Sequence, residues 1–253
     1  MKINKVFVVN KTGEDDTAVV RALSELDIEQ ADSITLCDTV ITVGGDGTIL
    51  EAGKEAAKAG KPLLGINTGR LGFMATLEKS ELHKLERLKR GEYTVSRRML
   101  LDIQVGDKTY NAINDVVLHR ESSSRLPDFM LFRESAEVIR VRGDGIIVST
   151  ATGSTAYSLS AGGPIIEPQL ECFLVTALSP HTLFNRAMVF SPDKPLTVCA
   201  ENVSVSVDGV SLKDDEITVS ALVTKSDRYL NLIDIDGNSF YDSVHNKLMK
   251  PLK

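Results

Sequence analysis

The chain has 253 residues, 42% hydrophobic and 25% charged, with 29 Lys and Arg against 35 Asp and Glu for a formal net charge of −6. That length supports one large domain or two modest ones with an ample core. The acidic balance excludes a general nucleic-acid or membrane-surface binder, which needs a basic excess, but leaves an anionic substrate open, because a few local donors outweigh a diffuse negative surface. Cys37, Cys172 and Cys199 never form a C-x-x-C pair, so neither a disulfide framework nor a zinc site is expected, and free thiols in a reducing compartment are. The apolar run near the N-terminus is too short for a signal peptide, and no apolar stretch reaches the length of a membrane span, so the expected location is the cytoplasm.

In chain order, "VFVV" (6–9) reads as a buried strand and "DDTAVVRALSEL" (15–26) as an amphipathic helix. "VITV" (40–43) is the next strand. "TILEAGKEAAKAG" (48–60) then places Ile49, Leu50, Gly53, Ala56 and Ala57 on one helical face, with Gly60 as the C′ stop and Pro62 beyond it. "LLGI" (63–66) returns as a strand. Short apolar strands alternating with helices predict an α/β domain of parallel βαβ units over residues 1–92. From "YTVSRRMLLDIQV" (93–105) onward strands and turns dominate, which predicts an antiparallel, β-rich second domain over 93–235. The tail "SFYDSVHNKLMK" (239–250) reads as a helix, so that 236–253 rejoins the first domain.

The stretch "TVITVGGDGTIL" (39–50) sets Asp46 among Gly44, Gly45 and Gly47 at a strand-to-helix turn. Amides at a helix N-terminus, together with the helix dipole, favour an anion there. The missing Cβ atoms let phosphate oxygens reach the backbone. A carboxylate beside a phosphate is repulsive unless a metal or a transferable proton intervenes, and both belong to phosphoryl transfer. The bland alternative is a tight left-handed turn with a helix-capping Asp. Neither a P-loop nor a G-x-G-x-x-G fingerprint is present.

"GGDGT" resembles the signature shared by NAD kinases, diacylglycerol and sphingosine kinases and 6-phosphofructokinases. Four later stretches narrow the choice: "GINTGRLGFMATLE" (65–78), "NAINDVVLHR" (111–120), "TALSPHTLFNRAMVF" (176–190) and "VSVDG" (205–209) resemble NAD kinase blocks in that family's order. "RGDGIIVSTATGSTAYSLSAGGPII" (142–166) resembles the family's long glycine- and hydroxyl-rich block nearly residue for residue. The chain departs from the pattern at Ala151, where the family usually has Pro, and at Asp115, where many relatives carry Glu.

The resemblance implies a kinase that phosphorylates the 2′-hydroxyl of the adenosine ribose of NAD to give NADP, with its active site between the two domains. It casts Asp46 as the general base, help typically worth about 10²–10⁴ in rate. Gly44, Gly45, Gly47, Thr48, Asn67 and Arg70 would lie at phosphates. Asn114 and Asp115 would grip ribose hydroxyls and amide groups of the dinucleotide, the alternative being an Asx turn at a strand end. In the block around Tyr157, Thr152, Thr155, Ser158 and Ser160 are candidate donors, Tyr157 would stack on a planar ring, and Ala156 and Leu159 complete the dinucleotide-binding stretch. Gly47, Arg142, Asp144 and Ser179 are placed at the dinucleotide too, with a surface ion pair as the alternative for Arg142 and Asp144.

The cofactor implied is a divalent cation, Mg²⁺ or alternatively Mn²⁺, bound mainly through phosphates and water, with no protein metal ligands named. The donor stays open between ATP and polyphosphate. A homodimer or homotetramer is expected, and neither nucleic acid nor membrane is a partner. His181 reads as structural, and His83, His119 and His245 as ordinary surface or part-buried residues. The rivals are a lipid or sugar-phosphate kinase with the same turn, and a non-catalytic dinucleotide sensor, which Asp46 counts against.

Overall fold

A computed structural model of the chain describes residues 2–11, 16–69, 72–121, 125–182, 185–212, 218–235 and 240–245. Two units emerge, Met1–Arg97 with Arg228–Lys253, and Arg98–Asp227. In the first, β1 (Lys5–Asn10), α1 (Thr17–Glu25), β2 (Glu29–Gln30), β3 (Thr39–Gly44), α2 (Asp46–Lys58) and β4 (Leu63–Asn67) alternate, followed by β5 (Leu77–Glu78) and α3 (Glu86–Arg90). Every pairing among these strands is parallel, in the order β2-β1-β3-β4 with β5 on β4. β3 and β4 are buried at every residue, as strands covered on both faces must be, which is why they read as unbroken apolar runs.

α2 turns Ile49, Ala52, Gly53, Ala56 and Ala57 inward. Leu50, placed on that face from the sequence, is only half-buried, because it lies one residue step, about 100°, from Ile49. The helix stops where expected. Gly60 takes φ 66°, its N–H donates to Ala57 O at 3.1 Å and that of Lys61 to Ala56 O at 2.8 Å, satisfying carbonyls left over in the last turn.

β6 (Thr94–Val105) carries the chain into the second unit. There follow β7 (Lys108–Ala112), β8 (Asp115–Arg120), β9 (Asp128–Arg133), β10 (Ala136–Arg142), β11 (Gly145–Ser149), the short α4 (Tyr157–Ser160), β12 (Phe173–Leu178), β13 (Met188–Phe190), β14 (Leu196–Glu201), β15 (Val203–Val207), β16 (Val210–Ser211) and the long β17 (Thr218–Asp234). One sheet runs β13-β12-β11-β8-β15-β16, every pair antiparallel. Inward residues of these strands, such as Val116, Leu118, Ile146 and Phe173, share one core with Leu101, Phe129, Val198 and Ala221 from β6, β9, β14 and β17. Phe129 and Phe173 are fully buried, each contributing about 1.5–3 kcal/mol. On its other face the six-stranded sheet presents Val117, Ile147 and Leu178, against which Ala161 packs.

The return to the first unit comes at Arg228, earlier than the boundary near 235 read from the sequence, because the end of β17 pairs in parallel with β4 at Leu232↔Leu63. α5 (Phe240–Val244) is the described part of the expected tail helix, and 246–250 lie outside the described residues. No helix among the described residues is long and apolar enough to cross a membrane.

Candidate functional site

The strand order of the first unit reverses direction between β1 and β3, and an open α/β sheet offers its ligand crevice there, beyond the carboxyl ends of the strands. A cavity of about 660 Å³ occupies this place. Phe7, Val9 and Ile34 give it apolar wall, Gly45, Gly47 and Thr48 bring the start of α2, and among its described lining residues Asp32, Glu51 and Glu55 stand with one cation, Lys11.

Each glycine of the turn has its own cause. A Cβ on Gly44 would lie 2.3 Å from Thr48 Oγ1, so packing demands that one. Gly45 has φ −100°, open to any residue, and a Cβ added at Gly45 or Gly47 would meet no atom of the described residues within 4 Å. Neither backbone geometry nor packing requires these two. What their bareness leaves exposed is the amide face of the first turn of α2, where Thr48 N–H donates to Gly45 O at 3.0 Å and the N–H groups before it have no carbonyl within the helix to reach.

Asp46 does not cap its helix. Gly45 is the N-cap, Asp46 is already helical, and its carboxylate accepts from two amides of a different loop, Phe73 N to Oδ2 at 2.9 Å and Met74 N to Oδ1 at 3.3 Å. The capping alternative of the sequence reading is thereby corrected. Gly72 makes this approach feasible, since a Cβ there would fall 1.8 Å from Asp46 Oδ1. Asn67, level with Gly44 on the neighbouring strand, is buried and closes its own loop, its amide donating to Gly69 O at 3.0 Å and accepting from Gly69 N at 3.3 Å. Arg70 lies outside the described residues.

In the second unit three neighbouring strand ends meet. β11 ends at Ser149 opposite Asp115, the first residue of β8, and β15 ends at Val207 opposite Val116. Asp208, just beyond β15, accepts from three successive amides, Ile113 at 3.0 Å, Asn114 at 2.8 Å and Asp115 at 3.1 Å. Thr150 ties the second junction, its hydroxyl donating to Ile113 O at 2.7 Å and accepting from Gly153 N at 3.0 Å. Gly153 packs so closely that a Cβ would lie 2.2 Å from Asn114 O. Asn114 and Asp115 are thus brought against the hydroxyl-rich segment, Asn114 half-buried and Asp115 buried.

Within that segment Thr152 is 93% buried by its 7% exposure, yet its hydroxyl has no hydrogen-bond partner among the described residues. A buried unsatisfied hydroxyl is costly and points to a missing partner. Thr155 donates to Thr152 O, and Ser158, fully buried, shares a hydrogen bond with Thr176 at 2.8 Å. Ala156 and Leu159 are half-buried, and Tyr157 and Ser160 exposed. Ala151, at the usual proline position, has φ −59°, the value a proline would impose, so the exchange leaves the chain path unchanged.

Arg142, Asp144 and Ser179 sit beyond the other end of β11, whose first residue Gly145 is four residue steps or about 13 Å from Ser149. Arg142 holds Asp128 with two hydrogen bonds, at 2.9 and 2.8 Å, and this guanidinium lowers the Asp128 pKa. Asp144 pairs with Arg120 at 3.1 Å. Both are therefore engaged in ion pairs, and Ser179 is exposed with φ 43°. Sequence reasoning gave no role to Asp208, because "DG" after a strand signals only a turn, and its partners lie more than ninety residues earlier.

An α/β unit with a bare glycine turn at its crevice, joined to a β-sandwich bearing a hydroxyl-rich site, defines a phosphotransferase of the glycine–aspartate–glycine type. The family model of the ATP-NAD kinase N-terminal domain matches residues 11–93, and that of the ATP-NAD kinase C-terminal domain matches 113–235. The chain is 39% identical over 217 residues to the NAD kinase of Caldicellulosiruptor bescii, covering 83% of this chain and 82% of that one. It is 38% identical over 221 residues to the NAD kinase of Caldanaerobacter subterraneus, covering 83% and 78%. The chain belongs to the NAD kinase family. Among solved structures, an NAD kinase from Archaeoglobus fulgidus in complex with ATP superposes with a TM-score of 0.80 at 28% identity, covering 97% of this chain and 98% of that one. Yeast NADH kinase complexed with NADH gives a TM-score of 0.85 at 22% identity, covering 100% and 90%, a likeness of fold.

Proposed function

We propose that this chain transfers the γ-phosphoryl group of ATP to the 2′-hydroxyl of the adenosine ribose of NAD, producing NADP. The observation that carries the reading is the bareness of Gly45 and Gly47, which no atom of the described residues explains and which a phosphate chain would use. Donor phosphates lie along the first-turn amides of α2 on the cavity side, next to Thr48. The acceptor hydroxyl approaches Asp46, which takes its proton as the phosphoryl group arrives, for about 10²–10⁴ in rate. Asn114 and Asp115, fixed by Asp208, hold ribose hydroxyls and amides, and the unpartnered Thr152 hydroxyl finds its partner on the dinucleotide. Tyr157 stacks on a planar ring.

The cavity's lining favours a nucleotide over polyphosphate as donor. A linear polyanion needs several cations, whereas among the described lining residues one lysine stands beside Asp32, Glu51 and Glu55. The apolar wall suits a base, and carboxylates suit ribose hydroxyls. Among the described residues no three His, Cys, Asp or Glu side chains converge as a metal site. Mg²⁺ enters on the donor phosphates, where it offsets charge. We place the protein in the cytoplasm as a homodimer or homotetramer. The test is to incubate purified protein with NAD, Mg²⁺ and either ATP or polyphosphate, and to detect NADP through an NADP-specific dehydrogenase. NADP is expected with ATP and not with polyphosphate, and no NADP with either donor refutes the activity.

A further inference from the structure

The Tyr157 ring is 43% exposed, and one of its faces is backed by the imidazole of His119, with centroids 6.0 Å apart and planes 24° from parallel. That is within the range of offset aromatic stacking. His119 lies in β8, two residues after Val117, so it projects from the face of the sheet on which Ala161 packs. Both flanks of the imidazole are defined. Directly across the β8–β11 pairing stands Gly145, which has no side chain to compete for the space. On the β15 side, Ser206 Oγ meets His119 Nε2 at 3.3 Å. Burial lowers the histidine's pKa, which keeps the ring neutral at neutral pH.

We propose that His119 is a positioning residue for dinucleotide recognition, backing the Tyr157 ring so that its open face meets a planar group of NAD at a fixed tilt. The inference rests on the reading that Tyr157 stacks on the dinucleotide. Tyr157 opens a helix of only four residues, which by itself leaves the ring free to turn about two side-chain torsions. A ring already held in its bound orientation has less freedom to lose on binding, an advantage worth roughly 2- to 12-fold in affinity. A flat neutral partner is suited to this, since it supports one face without competing for the other.

The experiment is steady-state kinetics at saturating ATP on Tyr157→Ala, His119→Ala and His119→Phe. His119→Ala is expected to raise KM for NAD by roughly 2- to 12-fold, with kcat and KM for ATP close to wild type. His119→Phe restores a flat face and is expected to bring KM for NAD back. If His119→Ala does not fold, His119→Leu replaces it, filling the volume without a flat face, with the same expectation. A raised KM in Tyr157→Ala beside an unchanged one in His119→Ala overturns the inference and leaves the Tyr157 reading standing. An unchanged KM in Tyr157→Ala overturns both. Equal losses in His119→Ala and His119→Phe overturn the backing role, since the bond to Ser206 would then be what matters.

Discussion

Asp46 has two partners already, the amides of Phe73 and Met74, and that geometry sharpens what its replacement tests. Asp46→Asn keeps size and helical position, but its amide offers one acceptor oxygen, so one of the two loop amides faces an NH₂ group. The fold is expected to survive, with NAD still bound, while turnover falls by about 10²–10⁴ because the amide cannot take a proton. A melting curve, NAD titration and NADP assay on one preparation check this, and near-normal turnover would leave Asp46 a loop clamp. Gly47 makes the complementary case. Gly47→Ala adds a Cβ that meets no atom of the described residues, inside a helix where Ala is favoured over Gly by up to about 1 kcal/mol. The variant is therefore expected to melt slightly higher yet show a raised KM for ATP. A higher melting temperature with unchanged ATP kinetics would mean that no ligand approaches this backbone.

At the scale of elements, the motif blocks are legible in the sequence because they are written in local order. Gly153, Thr150 and Asn114 fall in motif blocks, and the structure adds only why they belong together. The apolar period predicts α2 from Thr48, whereas the helix starts at Asp46, with Gly45 as its cap and the Asp46 carboxylate reaching a loop beyond β4. Asp208 was opaque for a different reason: its partners are reached only by sheet pairing, which a single strand's pattern does not encode. Asp208→Ala removes the acceptor of three amides at once. It is expected to raise KM for NAD through a loosened Asn114–Asp115 turn while KM for ATP holds, and equal rises in both would mark a general loss of structure.

β8 also carries a pH term. The His119 pKa lies below its usual 6.5 because burial disfavours the imidazolium. The unfolded chain therefore takes up that proton first, so this residue's contribution is fully present above pH 6.5 and is lost as the pH falls through the lower folded value. His119→Phe lacks it, and its melting temperature is expected to drop less than wild type between neutral pH and about pH 5. Parallel curves would show that His119 is not desolvated in solution.

For the whole molecule, the division into an α/β unit and a β-rich unit was visible as a change of period near residue 93, but which strands become sheet edges was not, because edges depend on pairing order. The six-stranded sheet ends on β13 and β16, both short, and each exposes a valine at its rim, Val189 at 56% and Val210 at 66%. Edge strands offer unpaired N–H and C=O groups, and proteins that stay monomeric commonly guard them with charge or proline. Val189 instead has apolar Met188 and Phe190 on either side. We propose a second copy of the chain as the cover, in line with the homodimer or homotetramer proposed above. Light scattering at working concentration is expected to give two or four times the chain mass. Val189→Lys, a guarding substitution at an exposed position, is expected to lower that mass while leaving the melting curve of the second unit cooperative. A wild-type mass equal to one chain refutes self-association, and an unchanged oligomer in Val189→Lys moves the interface away from this edge.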